Sequence, residues 1–239
     1  MSTGQIQDPP EGQRIIIRKN GPYLVYGNIP LVRKLQVVSE HGEPLTWRKT
    51  EVFEVGESYK LCRCGKSGEK PFCDGAHKEI VFDGTETADT GLTAKRQEIH
   101  SGSGGVVVKR DYYICMDAGF CANRNDNVIQ MVPKFDDTTV RSLAIGMMER
   151  CPSGSYTYSI GHSKANIEPD LPRQIAVTTE MTSEGPIAGA LWVTGNIPIE
   201  RSDGQPFEIR NRVTLCRCGL SKIKPLCDGM HREMHVEEE

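Results

Sequence analysis

The residues able to do chemistry in this chain are its cysteines, nine of them, and their spacing has a pattern. Cys62, Cys64 and Cys73 are followed by His77, and Cys216, Cys218 and Cys227 by His231, so C-x-C-x8-C-x3-H occurs twice. A C-x-C pair puts two thiolates on one short stretch, where both can grip one metal ion. The C-x3-H pair adds a thiolate and an imidazole after a turn, so four donors converge. Pro71 and Pro225, each two residues before the third cysteine, stiffen the loop. Asp74-Gly75 and Asp228-Gly229 follow that cysteine. Glycine allows positive φ or close backbone approach to sulfur, and aspartate can cap the helical turn that carries the histidine. Backbone N–H groups freed by such a loop can hydrogen-bond to sulfur. Spacing alone leaves two metals open, because thiolate and imidazole suit both zinc in a Cys3His site and iron with sulfide. Inert buried cysteines would not explain two matched copies.

The elements that must position these donors are themselves repeated. CRCGKSGEKPFCDGAH (62–77) and CRCGLSKIKPLCDGMH (216–231) are identical at eleven of sixteen positions. Upstream, Gly27-Asn28-Ile29-Pro30-Leu31 is echoed by Gly195-Asn196-Ile197-Pro198-Ile199, and His41-Gly42-Glu43-Pro44 by Asp203-Gly204-Gln205-Pro206. The repeat unit is therefore a domain closed by the cysteine motif. Short strands are expected at Arg14–Arg18, Tyr23–Tyr26, Leu35–Val38 and Val52–Val55, separated by Gly, Asn and Pro. Ile80–Phe82 is a further short apolar run. A Thr-, Gly- and Ser-rich linker is expected from about Glu86 to Gly105, and a Pro-containing one near Pro169–Pro172.

The middle segment differs. Val106–Val108, Tyr112–Ile114 and Tyr156–Ile160 read as strands. Asp136–Arg150 reads as a helix capped by Asp136 or Asp137, with Val140, Leu143, Ala144, Met147 and Met148 at helical spacing. It holds the remaining cysteines, Cys115, Cys121 and Cys151, the last followed by Pro152.

The whole pattern C-x-C-x2-S-x3-P-x-C-D-G-x-H resembles the signature of the CDGSH iron–sulfur domain family, with Ser67 and Ser221 in the serine position. Ala76 and Met230 replace the family's second serine, at a position that supplies no ligand. The resemblance implies a 2Fe–2S cluster in each copy, with Cys62 and Cys64 on one iron and Cys73 and His77 on the other. Cys216, Cys218, Cys227 and His231 would repeat this arrangement. Asp74, Gly75, Asp228 and Gly229 would line the clusters. A neutral imidazole in place of a thiolate raises the potential of such a cluster. It also makes the cluster acid-labile, because protons compete for the histidine. Roughly Val106 to Ile160 is similar to ferredoxins that lack one ligand. Bacterial ferredoxins use C-x2-C-x2-C and a distant Cys-Pro, and here Ala118 stands in the central position. Three thiolates suit a 3Fe–4S cluster; a 4Fe–4S cluster would need a further ligand, for which Asp117 is the nearest oxygen candidate.

Composition is consistent with small modules. Of 239 residues, 37% are hydrophobic and 6% aromatic, with 24 Gly and 14 Pro, which suits several turn-rich units better than one large core. A net charge of −3 calls for no nucleic-acid surface. No apolar stretch approaches the roughly 20 residues of a membrane span, and the amino terminus lacks the basic and apolar regions of a secretory signal. An odd cysteine count argues against a closed disulfide framework and for metal or redox work in a reducing compartment. His41, His100, His162 and His235 read as solvated or loop residues, with His162 close to the ferredoxin-like segment, and Glu237–Glu239 as a solvated tail.

The expectation is an α+β protein: a first CDGSH domain at 1–86, a ferredoxin-like αβ domain at 87–168 and a second CDGSH domain at 169–239. Single-motif members of the family pair as homodimers, so two copies in one chain imply a monomeric pseudo-dimer with a joint β-core. The expected function is one-electron transfer by a cytoplasmic protein that is not an enzyme. It would use two 2Fe–2S clusters and a third, 3Fe–4S or 4Fe–4S, cluster. A carrier or pH- or redox-responsive sensor that releases labile clusters is the alternative. Redox proteins or apo iron–sulfur acceptors are the expected partners, with no nucleic acid and no membrane.

Overall fold

A computed structural model describes residues 12–163 and 165–237. The segment read above for a secretory signal and the last two residues of the acidic tail lie outside these residues. In the first repeat, β1 (Arg14–Ile17) and β2 (Tyr23–Tyr26) alternate buried with part-exposed positions. Ile15, Ile17, Tyr23 and Val25 thus face one core, as a strand period of two requires. β3 (Leu31–Val38), β4 (Pro44–Phe53) and β5 (Ser58–Leu61) follow. The strand expected at Leu35–Val38 is the far part of the longer β3, whereas of Val52–Val55 only Val52 and Phe53 are strand, at the end of β4. The middle segment supplies β6 (Glu98–Ser101), β7 (Val106–Arg110), α1 (Val128–Met131), α2 (Thr138–Arg150) and β8 (Tyr156–Ile160). The second repeat supplies β9 (Gln174–Thr182), β10 (Gly185–Thr194), β11 (Ile199–Glu200), β12 (Arg212–Leu215) and α3 (Met230–Glu233).

Each repeat lends a strand to the other's sheet. β1 is flanked by β2 of its own repeat and, in parallel, by β11, with Ile15 opposite Ile199. Reciprocally, β3 runs parallel to β9, with Leu31 opposite Ile175, in the sheet order β12-β10-β9-β3-β4. The Gly-Asn-Ile-Pro echo is the crossover. Gly27 and Asn28 have φ of 86° and 54°, and Gly195 and Asn196 have 80° and 60°. This left-handed pair, cheap for Gly and tolerated by Asn, throws the next strand across. Ile15, Val25, Ile29 and Leu31 then share one buried cluster with Ile175, Val193, Ile197 and Ile199. The joint core is the physical tie between repeats, since apolar burial supplies most of the driving force.

The middle segment forms a separate antiparallel sheet, β6-β7-β8, with α2 packed on it through Ala144, Met147 and Met148. Three local expectations change here. Tyr112–Ile114 is a 3₁₀ turn, because the Asp111 carboxylate accepts the Tyr113 N–H at 3.2 Å and starts a helical turn. The Glu86–Gly105 stretch contains β6, held by its pairing with β7. Leu143 is 44% exposed, on the outer face of α2. Asp137 caps that helix, accepting from the N–H of Thr139 and Val140. The unit is fixed to the second repeat by Arg212 of β12. Its buried guanidinium donates to the carbonyls of Met148, Glu149, Cys151 and Tyr156 and pairs with Glu168 at 2.6 Å. The architecture is therefore mixed sheets with few helices, two motif-bearing regions flanking a middle one.

Candidate metal centres

Each cysteine motif is a loop braced by its own polar residues. Ser67 Oγ donates to the Phe72 carbonyl at 2.7 Å and accepts the Glu69 N–H, and Ser221 does the same for Leu226 and Ile223. Asp74 accepts the N–H of Gly68 at 2.7 Å and of Ala76 at 2.9 Å. Those two N–H groups hold its carboxyl below the usual range. Asp228 binds Lys222 and Met230 alike. The helical cap position itself is Gly75 or Gly229, at φ of 104° and 88°. The aspartate reaches over that glycine to the first N–H of the histidine-bearing turn.

These loops bring the donors into two pairs. Cys62 and Cys64 Sγ are 3.8 Å apart, and Cys73 Sγ is 3.4 Å from His77 Nδ1. In the second motif Cys216 and Cys218 Sγ are 3.6 Å apart, and Cys227 Sγ is 3.4 Å from His231 Nδ1. Backbone N–H groups point at the sulfurs: Lys66 at Cys64, Gly75 at Cys73, Gly219 and Ser221 at Cys216, and Gly229 at Cys227. Burial pushes the Cys64 thiol up to about 11 and the Cys227 thiol well above its ordinary value. In the Cys216–Cys218 pair the shared hydrogen bond lowers Cys216 and raises Cys218. The raised thiols, Cys64, Cys218 and Cys227, ionise at neutral pH only against a cation, so metal loading must expel their protons.

The two motifs meet. A Cβ on Gly219 would lie 2.7 Å from the Cys64 carbonyl oxygen, and one on Gly65 would collide with the Cys218 carbonyl. Both glycines have positive φ, 74° at Gly65 and 81° at Gly219. Tyr23 of the first repeat donates its hydroxyl to the Cys216 carbonyl at 2.7 Å. The arginine between the first two cysteines is also structural. Arg63 donates to the carbonyls of Arg18 and Gly21 in the β1–β2 turn, and Arg217 to those of Thr178 and Gly189 in the β9–β10 hairpin. Its identity in both copies was the available sequence signal; Tyr23 carried none.

The two sites differ in exposure. His77 is part-exposed, and burial, Lys78 and Arg18 lower its basicity. His231 is 1% exposed, and its Nε2 lies 2.9 Å from the buried Glu180 carboxylate.

Cys115, Cys121 and Cys151 lie near enough to act on one another's thiols, although among the described residues no three Cys, His, Asp or Glu side chains converge on one metal position. Burial, then Cys151 and Cys121, push the Cys115 thiol up to about 11, and burial followed by Cys151 raises Cys121. Tyr156 is raised by burial and by all three cysteines. Asp117, at φ 59°, is exposed beside Cys115, its N–H 3.4 Å from that sulfur. Ala118 is buried in an apolar cluster with Met116, Phe120 and Cys227. This loop abuts the second motif: a Cβ on Gly229 would lie 3.1 Å from the Met116 carbonyl oxygen. His41, His100 and His235 sit beside Glu40, Glu98 and Glu184 instead, and His162 is exposed.

Residues 20–78 and 188–232 match the family described as iron-binding zinc finger, CDGSH type. The chain carries a tandem repeat of CDGSH domains. It is an iron–sulfur-binding protein. Comparison with curated proteins finds no match. No helix among the described residues is long and apolar enough to cross a membrane.

Proposed function

We propose that this protein is a one-electron carrier rather than an enzyme. Its two CDGSH motifs would each hold a 2Fe–2S cluster, and Cys115, Cys121 and Cys151 a 3Fe–4S or 4Fe–4S cluster in a ferredoxin-like unit. The observation that carries the reading is contiguity. The Gly65 and Gly219 turns place the two motifs back to back, and the Met116–Asp117 loop rests on Gly229, so the loops that carry the three cysteine sets touch one another. The pairing of donors supports two irons per motif better than one tetrahedral ion: Cys62 and Cys64 would hold one iron and Cys73 and His77 the other, and likewise in the second motif. Such clusters supply a one-electron couple when bound. The chain's part is to provide thiolates, to aim N–H groups at sulfur and to exclude water, which together set potential. The joint core supports a monomer working as an intramolecular pair, with redox proteins of a reducing cytoplasm as partners.

A second reading, delivery of a labile cluster to an apo-acceptor, is favoured by the part-exposed His77. Iron and sulfide analysis with EPR of the oxidised, loaded protein tests both. The carrier reading expects acid-labile sulfide, a paramagnetic 3Fe–4S signal and repeated reduction and reoxidation without iron loss. A silent oxidised spectrum removes the 3Fe–4S cluster. Rapid transfer to an apo-ferredoxin, with iron lost at each redox cycle, would favour delivery.

A further inference from the structure

The two motifs are nearly identical in sequence, yet different hairpins stand over them. β1 and β2 have 4 residues each. Their counterparts β9 and β10 have 9 and 10. The pairs Ile15–Val25 and Ile175–Val193 correspond in register. The first hairpin turns back after Ile17, whereas the second runs on past Val177 and through a bulge between Ala188 and Leu191. The extension also takes up the end of the described chain, with Ala188 N–H donating to the Val236 carbonyl at 2.7 Å.

Glu180 lies on that extension and is 0% exposed. One carboxylate oxygen is 2.9 Å from His231 Nε2, and the other is 2.5 Å from the Arg232 guanidinium. Gly189 in the bulge leaves it room, since a Cβ there would lie 3.0 Å from Glu180 Oε1. His231 Nδ1 faces Cys227, so a proton on Nε2 bonds the carboxylate and leaves the Nδ1 lone pair for metal. A carboxylate behind a ligating imidazole fixes its tautomer and ring orientation and strengthens it as a donor. The first motif has no such extension. Among the described residues no carboxylate bonds to the His77 ring; of the charges near it, Lys78 and Arg18 outweigh the more distant effect of Asp74.

We infer that Glu180 is a positioning residue that makes the two CDGSH sites unequal, the second locked and electron-rich, the first open and electron-poor, so that exchange with partners takes place at the His77 face. This rests on the proposal that both motifs hold 2Fe–2S clusters. An electron entering the pair then resides on the first site.

The test is stepwise reduction of the holoprotein with dithionite, one electron per cluster. Pulsed EPR follows the histidine-nitrogen coupling, and a chelator measures iron release. The wild-type protein should reduce its two histidine-bearing clusters in separate steps, with His77→Cys altering only the earlier. Glu180→Gln should move the later step towards the earlier, change only the later nitrogen coupling and speed iron release from the second motif about 10–100-fold. Arg232→Gln leaves the carboxylate less neutralised and should move the later step the opposite way, which keeps the idea testable if Glu180→Gln folds poorly. Coincident steps in the wild type, or steps that Glu180→Gln shifts equally or not at all, would overturn the role of Glu180 while leaving the clusters in place. Iron bound without sulfide would overturn both this role and the proposed function.

Discussion

A Cβ on Gly65 would collide with the Cys218 carbonyl, and Gly219 stands in the same relation to Cys64. The two metal loops are thus parts of one interface, built around a backbone contact that only glycine permits. Gly65→Ala adds a Cβ with no space, at a φ of 74°. Left-handed strain and overpacking together predict a loss of about 2–5 kcal/mol. Gly42→Ala, at φ 81° with open space around it, should cost only the strain, about 1–2 kcal/mol. Urea unfolding of both holoproteins compares the costs, and iron analysis should find both motifs, not just the first, depleted by Gly65→Ala.

Tyr23→Phe removes the hydroxyl that ties the first repeat to the Cys216 carbonyl while keeping the ring in the core. One buried hydrogen bond is worth about 1 kcal/mol. The expected result is a small fall in unfolding midpoint, with faster chelation of iron from the second motif and unchanged release from the first. Equal acceleration at both would contradict the contact's direction.

Arg212 is the bolt between the middle unit and the second repeat. Arg212→Met leaves Glu168 and several carbonyls without their donor, a class of change that costs about 3–5 kcal/mol. Hydrogen exchange should show the deprotection concentrated at the carboxyl end of α2 and the loop bearing Cys151, while β1 and β2 stay protected.

The charges around His77 give a pH prediction. Burial, then Lys78 and Arg18, oppose protonation of this imidazole, so its basicity is lowered. Acid release of a cluster held by His77 therefore begins at a lower pH than it would without those cations. Lys78→Gln should move the midpoint of acid bleaching upward for one of the two clusters. His77→Cys, which removes the protonatable ring, should move it downward. Bleaching curves of the 2Fe–2S absorbance decide between these signs and no shift.

Much of the site was readable without coordinates because its parts are neighbours in the chain. The C-x-C pair, the serine and aspartate braces and the glycine caps all act within sixteen residues, so spacing and residue type nearly dictate the loop. The helix ending at Cys151 was legible for the same reason, through its cap at Asp137 and its apolar periodicity. Tyr112–Ile114 misled because its aromatic and β-branched residues suit a strand, while one upstream carboxylate, Asp111, diverts the backbone. β6 was hidden because its four residues, Glu98–Ser101, carry no alternation; its pairing with β7 makes it a strand.

The sequence by itself determined that donors come in matched sets and that the chain holds a tandem CDGSH repeat. These are properties of short covalent spacings. Only the tertiary structure decided that the repeats exchange strands, that the three cysteine sets abut and that the two histidines live in different surroundings. Glu180 is 51 residues from His231 along the chain. What brings it there is the register and length of a hairpin, set by burial of the whole joint core, and no local pattern in the motif encodes that.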